Sequence, residues 1–171
     1  MYLTGFMASG KSTVGPRVAE RLGLDFVDLD AQIEAQAERS IPVIFEHDGE
    51  AAFRQLEVEV LRATADQSDV VVALGGGALV DADNLQFAKA HGTVVYLRVP
   101  ADELLRRLKH EADERPLLQD ESGEPLSEAA MRAKIERMLR ARRSFYEQAN
   151  VTVAADQSVE KVVAAVVNSV R

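Results

Sequence analysis

The chain has 171 residues, which is room for one compact domain with a sizeable core and not comfortably for two. Apolar residues make up 47% and charged residues 28%, which excludes a disordered chain, and the absence of cysteine excludes disulfides and thiolate metal sites. The net charge of −8 argues against a large nucleic-acid interface, and no run of about 18 apolar residues could span a membrane.

Short apolar runs of strand length alternate with helical patterns along the chain. In chain order, the predicted elements are the strand Met1–Thr4, the loop Gly5–Ser12, the helix Thr13–Leu22, the strand Phe26–Leu29, the helices Ala31–Gln36 and Pro42–Ala65, the strand Val70–Leu74, the helix Asp81–Ala90, the strand Thr93–Val99, the helix Ala101–His110, the loop Glu111–Leu126, the helix Ser127–Ala149, the strand Val151–Val153 and the helix Ser158–Val170. Strands separated by helices, without tandem hairpins, predict an α/β fold with a parallel sheet covered on both faces. No repeat or linker marks a second domain, so we expect one domain over 1–171.

The loop Gly5–Ser12 reads Gly-Phe-Met-Ala-Ser-Gly-Lys-Ser and satisfies the P-loop pattern G-x-x-x-x-G-K-[ST]. It lies between a strand and a helix, where its backbone N–H groups can surround phosphate oxygens. We expect Lys11 to reach the β- and γ-phosphates and the Ser12 hydroxyl to bind Mg²⁺. A chance glycine-rich turn is the alternative. Pro16 is expected to distort the following helix, because it has no N–H for the Ser12 carbonyl.

Two aspartates close the second predicted strand, at Asp28 and Asp30. Side chains two apart on a strand point the same way, so both carboxylates are expected on one side of its carboxyl end, where α/β sheets bind ligands. One could hold Mg²⁺ and the other could accept a proton from a hydroxyl. Alternatively, Asp30 only caps the next helix.

Two arginines lie away from the polar faces of their helices. Arg142 falls within an apolar stripe of the helix Ser127–Ala149, and Arg54 lies three residues before Glu57, with which it can pair. An inward arginine needs an anionic partner, and its fork matches a carboxylate. Two such arginines and an aspartate suit a small hydroxylated carboxylate, although structural ion pairs are the alternative.

Three consecutive glycines, Gly75-Gly76-Gly77, follow the third predicted strand. Residues without Cβ allow a ligand to approach backbone N–H groups closely. The alternative is a plain turn, which rarely needs three glycines in a row.

The segment 111–126 has two prolines, many acidic residues and one basic residue, Arg115. Such a composition buries little apolar surface, so we expect a mobile lid. An acidic flap is repelled by ATP, and Arg115 is the residue within it that could draw it onto the phosphates. A solvated loop in which Arg115 pairs with neighbouring acids is the alternative.

Together these pieces resemble the shikimate kinase family. The resemblance runs the length of the chain and rests on the phosphate loop, Asp28-Leu-Asp30, Phe53-Arg54-Gln-Leu-Glu57, Gly75-Gly-Gly77, Arg115-Pro-Leu-Leu118 and Arg142-Arg-Ser-Phe-Tyr146. It implies a three-layer αβα P-loop fold with a five-stranded parallel sheet in the order 2-3-1-4-5 and a mobile lid. It also implies transfer of the ATP γ-phosphate to the 3-hydroxyl of shikimate in chorismate and aromatic amino-acid biosynthesis.

The resemblance also implies a set of site residues. The nucleotide would be bound by Ala8, Ser9, Gly10, Lys11, Ser12, Thr13, Arg107 and Arg115, with Arg107 stacked on adenine. Mg²⁺ would be held by Ser12 and Asp28. Shikimate would be bound by Asp30, Arg54, Glu57, Gly75, Gly76, Gly77 and Arg142, within a region at about 28–61. The catalytic residues would be Lys11, Asp30 and Arg115. In many members a glycine stands where this sequence has Ala8.

The residues alone indicate a kinase of a small hydroxy acid, so gluconate kinase or another small hydroxy-acid kinase is the enzymatic alternative. A non-catalytic ATP-sensing P-loop module is the alternative of a different class, although a sensor needs no hydroxyl-facing base such as Asp30. We expect ATP and Mg²⁺ as cofactors, shikimate as the partner, no nucleic acid or membrane, and a monomer. Core-like sequence directly after Met1 leaves no room for a signal peptide, so we expect a cytoplasmic protein.

Overall fold

The structure is a computed structural model, and it describes residues 1–109, 118–119 and 124–170. The strands within these residues are β1 (Tyr2–Thr4), β2 (Asp25–Asp28), β3 (Val70–Ala73), β4 (Val94–Arg98) and β5 (Val151–Ala154). The helices are α1 (Lys11–Leu22), α2 (Leu29–Ala37), α3 (Ile41–His47), α4 (Gly49–Ala63), α5 (Ala82–His91), α6 (Ala101–Leu108), α7 (Glu128–Tyr146) and α8 (Val159–Ser169). None of these described helices is long and apolar enough to cross a membrane.

The five strands form one parallel sheet in the order β2-β3-β1-β4-β5, which confirms the predicted fold class. Strand β1 is central, and Tyr2 pairs with Val72 of β3 on one side and with Val94 of β4 on the other. From β1 the chain crosses to β2 at one edge of the sheet, and from β4 it crosses to β5 at the opposite edge. Ligands of open α/β sheets bind at such a switch point, outside the carboxyl ends of the strands.

The sheet separates two hydrophobic clusters, because consecutive strand residues point to opposite faces. On one face, Leu3 and Val95 pack with residues of α1, α6, α7 and α8. On the other face, Tyr2 and Val94 pack with residues of α2, α3, α4 and α5. Burial of each valine or leucine side chain contributes roughly 1.5–3 kcal/mol, so both clusters hold the sheet and its loops in place.

The predicted helix Pro42–Ala65 is divided into two helices. The chain turns at Asp48 and Gly49, and Gly49 has a φ of 83°, a left-handed conformation that glycine adopts readily. Both α3 and α4 contact α2. By contrast, Pro16 does not end α1, which continues to Leu22.

The predicted lid lies mostly outside the described residues, and Arg115 is among those not described. The described part includes Leu118, which is buried, and an isolated antiparallel bridge between Gln119 and Pro125. The expectation of a mobile lid therefore stays a prediction.

Candidate active site

The phosphate loop connects β1 to α1 and has two residues in the left-handed region, Ala8 with a φ of 58° and Gly10 with a φ of 96°. The Lys11 ammonium donates hydrogen bonds to the carbonyl oxygens of Gly5, at 2.9 Å, and Phe6, at 3.0 Å. These bonds turn the lysine back across the loop. Its charge is therefore held beside the N-terminus of α1, where the helix dipole also favours an anion.

Ser12 and Asp28 form a hydrogen-bonded pair next to this loop. The Ser12 hydroxyl donates to Oδ2 of Asp28 at 2.6 Å. The other carboxylate oxygen of Asp28 accepts from the backbone N–H of Asp30 at 3.1 Å, so Asp28 is the N-cap of α2. The prediction that Asp30 closes the strand was wrong, and so was the alternative that Asp30 caps the next helix. Asp28 is the cap, and Asp30 lies in the first helical turn, not on the strand, so strand alternation does not set its direction.

The Ser12–Asp28 pair fits a magnesium ion. It supplies one hydroxyl and one carboxylate oxygen, and Mg²⁺ prefers oxygen ligands and keeps several water or phosphate oxygens in its shell. Within the described residues, no group of three or more His, Asp or Glu side chains could hold a metal by itself. A cation at Ser12 and Asp28 would complete its coordination with phosphate and water.

The three glycines after β3 accommodate charged side chains on both sides. A Cβ atom on Gly75 would lie 2.9 Å from Oδ1 of Asp30 and 3.0 Å from Oε1 of Glu57. A Cβ atom on Gly77 would lie 3.2 Å from both terminal nitrogens of Arg54. The segment is therefore more than a plain turn, because it brings bare backbone against two carboxylates and a guanidinium.

The middle glycine, Gly76, joins this cluster to the phosphate loop. A Cβ atom there would lie 3.4 Å from the backbone nitrogen of Met7 and 3.6 Å from Nη1 of Arg142. The carboxylates and arginines around the glycines consequently lie directly beside the loop predicted to bind phosphates.

The predicted pair of Arg54 and Glu57 is present on α4. Nη1 of Arg54 donates to Oε2 of Glu57 at 2.7 Å. The Glu57 side chain is 2% exposed, whereas that of Arg54 is 39% exposed and so less buried than the sequence suggested. Burial raises the pKa of Glu57, the Arg54 guanidinium acts in the opposite direction, and the nearby Asp30 raises the pKa further. A buried carboxylate thus holds the arginine beside Gly77.

Arg142 reaches the glycines from α7. Its Nη1 atom donates to the carbonyl oxygen of Gly76 at 3.0 Å. Arg137, Arg140 and Arg143 of the same helix are exposed, as the apolar stripe predicted. The hydroxyl of Tyr146 donates to the same Gly76 oxygen at 2.5 Å, a contact that the set of predicted site residues missed. Tyr146 lies four residues after Arg142, and this spacing indicates that both side chains lie on one face of the helix. The sequence therefore contained a signal that could have predicted the contact.

A cavity of about 360 Å³ lies on the other side of the phosphate loop. Its lining consists of Ala8, Ser9, Gly10, Thr13, Val14, Arg107, Ala155, Gln157, Val159 and Val162. Arg107 donates to the carbonyl oxygens of Ala8, at 3.1 Å, and Ala155, at 2.8 Å, and to the Glu103 carboxylate at 2.7 Å. Its planar guanidinium is therefore fixed at the edge of this cavity beside the loop.

The family model for shikimate kinase matches residues 7–171 of this chain. The chain belongs to the shikimate kinase family. A shikimate kinase from Salinibacter ruber is 55% identical over 99% of this chain and 83% of its own length. The crystal structure of the shikimate kinase from Bacteroides thetaiotaomicron has a TM-score of 0.90 at 34% identity, covering 98% of this chain and 96% of that one. The Acinetobacter baumannii shikimate kinase, solved in complex with shikimate, has a TM-score of 0.84 at 36% identity, covering 98% of this chain and 92% of that one.

In this shikimate kinase family member, the predicted site residues that the structure describes occupy two adjacent regions. The cavity at Arg107, the phosphate loop and the Ser12–Asp28 pair form one region. The glycines after β3, with the charged groups of α2, α4 and α7, form the other. Arg115 lies outside the described residues, so its contact with the phosphates stays a prediction.

Proposed function

We propose that this protein transfers the γ-phosphate of ATP to the 3-hydroxyl of shikimate, giving shikimate 3-phosphate and ADP. The observation that carries the proposal is the position of Gly76, which lies against the phosphate loop at Met7 and against Arg142. An acceptor seated on the glycines is thereby next to a phosphoryl donor held by the loop. Phosphoryl transfer depends chiefly on such positioning and on charge stabilisation.

Two arginines that contact the glycine segment match the acceptor carboxylate. Arg54 reaches Gly77 from α4, and Arg142 reaches Gly76 from α7. A guanidinium fork binds a carboxylate through two parallel hydrogen bonds, which fixes orientation as well as charge. The carboxylates of Asp30 and Glu57 face Gly75 and can accept hydrogen bonds from the ring hydroxyls of the acceptor.

Asp30 is the proposed acceptor of the hydroxyl proton. Its carboxylate faces Gly75, and its backbone N–H donates to Asp28, which in turn accepts a hydrogen bond from Ser12 beside the phosphate loop. A positioned general base typically contributes on the order of 10²–10⁴ in rate. Removing the proton as the O–P bond forms makes the hydroxyl a stronger nucleophile.

The nucleotide is proposed to lie along the phosphate loop, with its base in the cavity beside Arg107 and its β- and γ-phosphates at Lys11. Ser12 and Asp28 would hold Mg²⁺, which when bound neutralises phosphate charge. The proposed nucleotide contacts also include Ala8, Ser9, Gly10 and Thr13, which line the same cavity. Arg115 stays a prediction for the arginine that stabilises charge on the transferring phosphoryl group.

We further propose that residues 1–171 act as a single domain and as a monomer in the cytoplasm, with an acceptor region at about 28–61. The compact size of the chain supports one domain. The net charge of −8 disfavours nucleic acid as a partner. The proposed partner is therefore the small-molecule acceptor.

The test is ADP release, measured with ATP alone and then with shikimate, gluconate or quinate. We expect ADP formation that requires both Mg²⁺ and shikimate, with Lys11→Met as an inactive control against contaminating kinases. Equal rates with gluconate would contradict the shikimate assignment. ATP binding without ADP release from any of the acids would favour the non-catalytic ATP-sensing module.

A further inference from the structure

Tyr146 lies at the end of α7 and shares a hydrogen-bond acceptor with Arg142. Its hydroxyl donates to the Gly76 carbonyl oxygen at 2.5 Å, and Nη1 of Arg142 donates to the same oxygen at 3.0 Å. A carbonyl oxygen has two lone pairs, so it accepts both bonds at once. The two side chains lie four residues apart on one helix face and hold one backbone atom together.

The ring of Tyr146 has little room to move. Its side chain is 1% exposed, and it stacks on Tyr96 of β4 with ring centres 4.9 Å apart and planes inclined by 18°. Burial raises the pKa of Tyr146, although the charge of Arg142 opposes this, so the hydroxyl keeps its proton and remains a donor. A rigid ring with a fixed donor is suited to holding a neighbouring group in position.

The atom that Tyr146 holds lies at the centre of the proposed acceptor pocket. Gly76 separates the phosphate loop at Met7 from Arg142. The far end of the same segment is fixed independently, because Nδ2 of the buried Asn84 donates to the carbonyl oxygen of Ala78 at 3.1 Å. In the middle of the segment, the side chains that donate hydrogen bonds to the Gly76 carbonyl are Arg142 and Tyr146, both from α7.

We propose that Tyr146 is a positioning residue for the acceptor carboxylate. Through the Gly76 carbonyl it restrains the glycine segment and the guanidinium of Arg142, so that the remaining N–H groups of Arg142 face the pocket. This inference rests on the proposed function, in which Arg142 binds that carboxylate. A free arginine side chain has several rotamers and loses entropy on binding, and a restrained one loses less.

The test compares Tyr146→Phe with Tyr96→Phe, which removes the hydroxyl of the other ring in the same stack. Among the residues that the structure describes, the Tyr96 hydroxyl makes no hydrogen bond, so this variant is a matched control for loss of a phenol oxygen. We expect Tyr146→Phe to raise the KM for shikimate about tenfold, the effect of one lost hydrogen bond, and to leave the KM for ATP unchanged. Tyr96→Phe should leave both KM values unchanged.

A second measurement does not depend on the acceptor. In the ligand-free protein, backbone amide hydrogen exchange over residues 74–80 should be faster in Tyr146→Phe than in the wild type or in Tyr96→Phe. A wild type that does not phosphorylate shikimate would contradict the proposed function, while this exchange measurement would still decide whether Tyr146 restrains the glycines. The inference is overturned if exchange and the shikimate KM are unchanged in Tyr146→Phe and only its melting temperature falls.

Discussion

Oε2 of Glu57 lies 2.7 Å from Nη1 of Arg54, and the carboxylate is almost fully buried while the guanidinium is 39% exposed. A carboxylate that is removed from water needs a charged partner, and the arginine that supplies it also faces Gly77. The pair therefore fixes a planar donor group beside the glycine segment. Arg54 offsets part of the cost of burying Glu57, and does so only while it stays in place.

Arg54→Lys should weaken shikimate binding by about 10–100-fold, because lysine keeps the charge and loses the fork whose charged hydrogen bonds are worth about 1.5–3 kcal/mol. ATP binding should be unchanged. Titration calorimetry with each ligand measures both affinities. Arg62→Lys is the control on the same helix, since Arg62 packs on Phe87 away from the glycines. Unchanged shikimate affinity with a lower melting temperature would favour a purely structural ion pair.

Glu57 should make the stability of the protein depend on pH. Burial raises its pKa above the ordinary value of 4.5, so the folded chain holds this proton more tightly than the unfolded chain does. Its contribution to the free energy of unfolding must therefore fall as the pH rises from 4.5 through the raised pKa. Urea unfolding at about pH 4 to 8 gives the free energy of unfolding of the wild type and of Glu57→Gln. The value for the wild type minus that for Glu57→Gln should decrease as the pH rises through that window. Glu59→Gln, at an exposed position of α4, is the control, and its free energy of unfolding should depend on pH as that of the wild type does. If Glu57→Gln shows the same pH dependence as the wild type, the prediction for Glu57 is wrong.

Asp30→Asn should lower kcat by on the order of 10²–10⁴, because an amide cannot take the hydroxyl proton. Binding of ATP should be retained, since Asp30 faces Gly75 and lies on the acceptor side of the loop. Steady-state kinetics with a coupled ADP assay separate the two effects. Turnover within a few-fold of the wild type would show that Asp30 has no part in the proton transfer.

Asp28→Asn should raise the Mg²⁺ concentration required for half-maximal activity, because it removes a charged oxygen from the pair with Ser12. Asp25→Asn is the matched control, since Asp25 begins the same strand at its opposite end and is exposed. Activity measured as a function of Mg²⁺ concentration, at saturating ATP and shikimate, gives the half-maximal Mg²⁺ concentration of each variant. If the two variants require the same Mg²⁺ concentration as the wild type, Asp28 serves only as the cap of α2.

Local sequence patterns predicted the parts of this fold that depend on periodicity and composition. The Val-rich run at Val70–Ala73 and the glycine-lysine loop before α1 are recognisable because each is specified by its own residues. The strand order followed from the resemblance to a family, since strand order depends on contacts between residues far apart in sequence.

The sequence was least informative where one residue changes the backbone direction. The break at Gly49 interrupts an apolar periodicity that continues on both sides, so the pattern predicted one helix where two exist. Asp28 ends a strand and caps a helix at the same position, and alternation of side chains cannot show that Asp30 has left the strand. The Gly76 carbonyl accepts hydrogen bonds from Arg142, 66 positions away in sequence, and from Tyr146, 70 positions away. No local spacing of residues reveals such distant contacts.

The sheet also assigns the proposed nucleotide site and the proposed acceptor site to different hydrophobic clusters, one on each of its faces. Side chains beside the proposed nucleotide cavity, such as Val14 and Val162, belong to the cluster on one face, whereas Ile33 and Phe53, which support the acceptor helices α2 and α4, belong to the cluster on the other. Substitutions that reshape the acceptor helices can therefore accumulate without disturbing the packing behind the nucleotide. This division allows the nucleotide side to stay unchanged during evolution while the acceptor side diverges. Helix α7 is the exception, because it packs in the cluster on the nucleotide side while its Arg142 contacts the glycines of the acceptor side.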